Sequence, residues 1–136
     1  MAAEYFTEAW LAMFREQAQK LLDASAKPKA ALNFSLAEWV TDPESARRPP
    51  WIGLRLEVTA GHAVVLPLAL PDRSADVRVA FPYALGYRLS RLPAGPEFDA
   101  LVAKGVSEGA IKLEGDPSRS PFEGHSLHDA IAANTL

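Results

Sequence analysis

Apolar and polar residues alternate along this chain with two different periods, and the changes of period divide it into elements. From Glu8 to Ala24, the apolar residues Trp10, Leu11, Phe14, Ala18, Leu21 and Leu22 recur at helical spacing. Arg15, Glu16, Gln19, Lys20 and Asp23 take the other side. Thr7 stands where an N-cap belongs, and Glu8 falls in the first turn, where the helix dipole favours an acid. At 1.5 Å per residue the helix is about 25 Å long, enough to cross a sheet, and its apolar stripe must be buried against something. The stretch 24–29, with Pro28, ends it.

The period then falls to two. Leu32, Phe34 and Leu36 alternate with Asn33 and Ser35, which predicts a strand over 31–40, although LAEWV also fits a helical turn. TDPESARRPP, 41–50, is a loop by composition. From Trp51 to Thr59 the alternation is cleanest, with Ile52, Leu54, Leu56 and Val58 on one face. A second strand follows over 63–70, and the connecting turn sets the register. A two-residue loop at 60–61 pairs Val58 with Ala63 and Leu56 with Val65. A three-residue loop at 60–62 pairs Val58 with Val64, Leu56 with Leu66, Leu54 with Leu68 and Ile52 with Leu70. The second gathers the large aliphatics on one face and is the expected one. Pro67 cannot donate to a ladder, so this strand is expected at an edge or bulged.

Further along, PDRS (71–74) is a turn, and 76–81 alternates again with Val77, Val79 and Phe81 on one side. Pro82 starts a helix over 83–92 carrying Leu85, Leu89 and Leu92, and a shorter helix covers 97–104. GAIKLEGD, 109–116, reads as a strand with Ile111 and Leu113 on a dry face and Lys112 and Glu114 on a wet one. Ser126 is the expected cap of a last helix with Leu127, Ala130 and Ile131. Hairpins with helices to one side predict an α+β fold: an antiparallel sheet covered on one face by helices, its other face partly wet.

Length adds that one domain, 1–136, suffices. Net charge is −3 with both signs dispersed, so there is no electrostatic footprint for nucleic acid and no polybasic segment for an anionic membrane. With no cysteine, disulfides, thiolate nucleophiles and cysteine-based zinc sites are excluded. The N-terminus lacks the basic and apolar regions of a signal peptide, and no apolar run approaches the roughly 20 residues of a membrane span. The expectation is a soluble, cytoplasmic protein without stable membrane insertion.

Candidates for chemistry are few. His125 and His128, three apart, share a helical face beside Asp129, but a metal would need a third ligand such as Asp116 or Glu123. Glu114 and Asp116 share a strand face, yet Lys112 and the outward side point to solvated charges. His62 belongs to a turn, and Ser107 and Ser126 read as turn and cap residues. No serine lies in a nucleophile elbow, and there is neither a phosphate loop nor a dinucleotide fingerprint. ARRPPW, 46–51, reads as a solvated loop anchored by Trp51 rather than an interaction loop. No catalytic residue, metal or cofactor is therefore expected. The aliphatic residues serve a filled core or the wall of a cavity equally well.

Two segments carry more. ADVRVAF, 75–81, is followed about thirty residues later by EGAIKLEGD, 108–116, with helices between. Together they resemble the sterol carrier protein 2 family, whose members place an Asp-Val strand, then helices, then a glycine- and lysine-bearing strand ending in Gly-Asp. The opening YFTEAWLAMFREQAQKLL is similar to that of bacterial, free-standing members, and WIGLRLEVTAGHAVVLPLAL occupies the place of their first hairpin. The resemblance covers nearly the whole chain. Ala110 departs from it, standing where members carry lysine, and Gly105 and Gly109 stand where they show one glycine.

The resemblance implies about five antiparallel strands under helices, with an apolar tunnel between the layers. It implies non-enzymatic binding or transfer of a fatty acid, acyl-CoA, phospholipid or sterol. By facing and alternation, the expected lining is Trp10, Phe14, Leu21, Leu54, Leu56, Val64, Leu66, Val77, Val79, Ile111 and Leu113. Two rivals stand beside this reading. One is an accessory module with a filled core that pairs with a second copy through the edge near Pro67 or through Trp51. The other is a small cavity enzyme using His125, His128 or the acids.

Overall fold

The computed structural model describes residues 2–43 and 50–136. Arg47 and Arg48 of ARRPPW fall outside the described residues; Trp51 is buried against Phe6, with ring centroids 4.8 Å apart.

Helix α1 spans Glu8–Asp23, and Thr7 caps it by accepting a hydrogen bond from Trp10 N at 3.2 Å. Its apolar stripe buries Trp10, Leu11, Met13, Phe14, Ala18 and Leu22. A short 3-10 turn, Lys29–Ala31, then leads into β1, Phe34–Val40. The hairpin strands are β2, Gly53–Thr59, and β3, His62–Leu68. Strand β4, Val77–Phe81, runs into α2, Tyr83–Arg91, whose first N–H is met by Asp42 Oδ1 at 2.7 Å. Then come α3, Pro96–Ser107, β5, Lys112–Gly115, and α4, Ser126–Ala133. Ser126 is the first residue of α4, not its cap, and no side chain caps this helix.

The five strands form one sheet in the order β3-β2-β1-β4-β5. It is mostly antiparallel, as expected, but β1 and β4 run parallel. That central seam is tied at its start by Ser35 and Asp76. Ser35 N donates to Asp76 Oδ2 and Asp76 N donates to Ser35 Oγ, each at 2.9 Å. The aspartate of ADVRVAF thus fixes where β4 enters the sheet.

The hairpin corrects the expected register. A two-residue turn at 60–61 pairs Val58 with Ala63, Leu56 with Val65 and Leu54 with Pro67. Ala60 (φ 48°) and Gly61 (φ 78°) are both left-handed, as in the tight turns that suit a twisted hairpin. The large aliphatics Val64, Leu66 and Leu68 therefore lie on the face away from Leu54, Leu56 and Val58. The turn is held by groups distant in sequence. Gln19 donates to Gly61 O and accepts from Ala63 N, both at 2.9 Å, and Asn33 Oδ1 accepts from Ala60 N at 2.9 Å. Pro67 stands on β3, an edge strand.

The helices cover one face: α1 crosses β3 and packs on α4, which packs on α2. The main core lies in this layer, with Leu54, Leu56, Val58, Trp10 and Leu22 almost wholly buried. Gly86 of α2 lies so close to the Phe81 ring that a Cβ there would overlap it. The opposite face carries a smaller cluster of Ala37, Trp39, Ala75 and Ala80. Arg73 lies over the Trp39 ring, and Arg55 pairs with Glu57 and Asp72, each at 2.9 Å.

Candidate functional site

Between the sheet and α4 the layer is not solid. An apolar cleft of about 620 Å³ is walled by Phe34 and Leu36 of β1, Val77 of β4, and Leu127 and His128 of α4. Its mouth is formed by Pro117, Ser118, Ser120, Phe122, Gly124 and His125. Behind it lies a smaller cavity of about 170 Å³, lined by Trp10 and Phe14 of α1, Leu36 and Glu38 of β1, Ser90 of α2, and Leu127, His128 and Ile131 of α4. The two share a wall of Leu36, Leu127 and His128. A third hollow, about 310 Å³, lies on the other side of Phe122 and includes Leu21.

Glu38 dominates the electrostatics of this region. The ladder pairs align it with Leu54 of β2 and Val79 of β4, so it stands on the helix-facing side at the centre of the sheet. It is the one charged residue among the paired positions of that face. Among the described residues, no group donates a hydrogen bond to its carboxyl. Its side chain is half-buried, and desolvation is what pushes its pKa up from 4.5 to about 7. Tyr5 is close by. Burial first, and then the Glu38 carboxyl, raise its hydroxyl well above the usual tyrosine range, while a hydrogen bond with Ser90 opposes them.

Sequence reasoning missed Glu38, although a signal was present. The alternation that sends Phe34 and Leu36 inward sends Glu38 inward as well, with Val40 closing the row. Reading LAEWV as strand or helical turn obscured that parity.

The expected lining residues are distributed unevenly. Trp10 and Phe14 border the inner cavity, Val77 the cleft and Leu21 the third hollow. Leu54 and Leu56 lie in the densest core. Val79 is packed at its margin. Ile111 is buried against Gly105, where a Cβ would overlap its side chain. Leu113 faces the same side as its partner Val79 but is 51% exposed on edge strand β5, so the dry face of GAIKLEGD is dry only at Ile111. The corrected register puts Val64 and Leu66 on the back of the sheet, where Leu66 is 51% exposed.

The polar candidates have structural partners. His128 Nε2 donates to Leu92 O at 2.6 Å, which places the proton on that nitrogen, and its ring lies 4.2 Å from that of Phe98. His125 contacts the same phenylalanine. Asp129 Oδ1 accepts from Ala94 N at 2.8 Å, so this face of α4 docks the turn between α2 and α3. Glu114 pairs with Arg73 at 3.3 Å. Asp116 accepts from Ser118 N and Oγ, and these bonds hold its carboxyl below the usual range. No cluster of three histidine, aspartate or glutamate side chains able to hold a metal occurs among the described residues. None of their helices is long and apolar enough to cross a membrane.

No family model and no curated protein matches the sequence. Solved structures do. A crystal structure of sterol carrier protein 2 is 20% identical, covers 95% of this chain and 98% of its own, and superposes with a TM-score of 0.60. The solution structure of the conserved hypothetical protein TT1886 from Thermus thermophilus is 21% identical, with 99% and 93% coverage and a TM-score of 0.53. With the five-stranded sheet, the one-sided helix layer and this end-to-end likeness, the chain has a sterol carrier protein 2-like fold.

Proposed function

We propose that the chain is a non-enzymatic cytoplasmic carrier that binds a lipid or other apolar ligand, of the fatty acid, acyl-CoA, phospholipid or sterol class, between its sheet and its helices. The carrying observation is the apolar cleft of about 620 Å³ that adjoins the inner cavity. Its volume lies in the range of small-molecule sites, roughly 300–1,000 Å³. Each buried methylene contributes about 0.8 kcal/mol, so a chain of a dozen needs space and dryness more than specific contacts. The fold likeness supports the same reading. A non-enzymatic role fits the polar side chains around the cleft, with Ser118 engaged in a turn and His128 in helix docking.

Native mass spectrometry of freshly purified protein, followed by organic extraction, tests this. A co-purified lipid near one equivalent is the expected result. A clean mass, unchanged after incubation with a lipid panel, would overturn it.

A second reading has its own observation. Leu66 and Leu70 are 51% and 75% exposed in and beside edge strand β3, which suits a self-associating surface. A mass that rises with concentration in light scattering is its signature.

A further inference from the structure

The inner cavity has a lining that a purely apolar ligand does not explain. Trp10, Phe14, Leu36, Leu127 and Ile131 make it dry, and one carboxyl, Glu38, stands in its wall. Glu38 is half-buried, and among the described residues no group donates to its carboxyl. An acceptor opening into an otherwise apolar space is a ready partner for a donor from outside the chain. The other polar groups lining this space are Ser90 of α2 and His128 of α4, and Tyr5, before α1, is coupled electrostatically to Glu38. Tyr5 bonds with Ser90, and His128 uses its Nε2 proton on Leu92 O. None of the three donates to the Glu38 carboxyl.

We propose that Glu38 is a polar subsite that receives the inner end of the ligand, and that this end carries a hydrogen-bond donor, a hydroxyl or a protonated amine, rather than a carboxylate. The ligand is then an amphipath lying with its apolar body in the cleft between Leu36, Val77 and Leu127. Its donor passes the wall of Leu36, Leu127 and His128 to reach the carboxyl. A ligand carboxylate in the same position would meet Glu38 as a second acid and would be disfavoured at alkaline pH. The inference rests on the carrier reading and narrows its ligand class.

The test is a series of equal chain length, dodecanol, dodecylamine and dodecanoate, titrated by calorimetry at about pH 8. The proteins are the native chain, Glu38→Gln and Glu38→Leu, each checked for folding by circular dichroism. Native protein is expected to bind the alcohol and the amine at least about tenfold more tightly than the carboxylate. Glu38→Gln keeps an acceptor oxygen but no charge, so it should weaken the amine about tenfold and leave the alcohol within about twofold. Glu38→Leu should level all three. Equal affinities across the series in all three proteins would overturn the subsite while leaving the carrier reading intact. A preference for dodecanoate would also overturn it. Failure of every member to bind would overturn both.

Discussion

At the residue scale, Glu38 makes the sharpest prediction. Its pKa is raised from 4.5 to about 7 by burial, so the folded chain holds a proton that the unfolded chain has released over that interval. Its contribution to stability is therefore complete below about pH 4.5 and is lost as pH rises through about 7, by up to roughly 3 kcal/mol. Urea unfolding at about pH 5 and pH 8 should show this loss in the native chain and a much smaller one in Glu38→Gln. Equal pH dependence in both would show that the carboxyl is well solvated. Ala60 makes a second prediction. A non-glycine residue at φ 48° is strained, and an asparagine before Gly61 suits the turn better. Ala60→Asn should stabilise the protein by about 0.5–1 kcal/mol, read as a higher urea midpoint at unchanged slope. Neither feature follows from residue type alone. The inward parity of Glu38 was present in F-x-L-x-E-x-V, but its cost depends on the layer above it. The left-handed Ala60 is stabilised by Asn33 and Gln19, far away in sequence.

At the element scale, the helices and strands were largely legible because each buries one face and so keeps a strict period. Strand β1 and helix α1 follow that logic closely. The β2–β3 register was not legible. Grouping the large aliphatics favoured a three-residue loop, but the fold buries the small Ala63 beneath α1 and leaves Leu66 outside. Space under the helix decided the register, together with the Gln19 amide that clamps the turn. Gln19→Ala removes an exposed hydrogen bond to Asp23 and the two that hold the turn, to Gly61 O and from Ala63 N, and leaves that part-buried backbone unmet. A loss of about 1–3 kcal/mol is expected, with hydrogen exchange faster at the hairpin than in β4. Uniform exchange across the sheet would assign Gln19 no special role. The parallel seam between β1 and β4 also escaped pattern reading, because alternation reports faces and not strand direction.

At the scale of the whole molecule, the fold was legible where the site was not. The resemblance in ADVRVAF and EGAIKLEGD pointed to the fold, and the solved structures agree end to end. A hollow is different. The cleft and the inner cavity draw residues from α1, β1, β4, α2, α4 and the 117–125 segment, and whether those residues meet or stand apart is a property of their packing. Leucine, valine and phenylalanine serve either outcome. That is why Leu54 and Leu56 were expected in the lining, whereas Leu127, His128, Phe122 and Ile131 border the hollows. The central claim is that this interior receives a ligand. The most direct measurement is an amide NMR titration of nitrogen-15-labelled protein with dodecanol. The account predicts saturable shifts clustered at Leu36, Ser120, Phe122, Leu127, His128 and Ile131, with Arg55 and Trp39 on the opposite face unmoved. An unchanged spectrum, or shifts confined to the exposed Leu66 and Leu70, would contradict it.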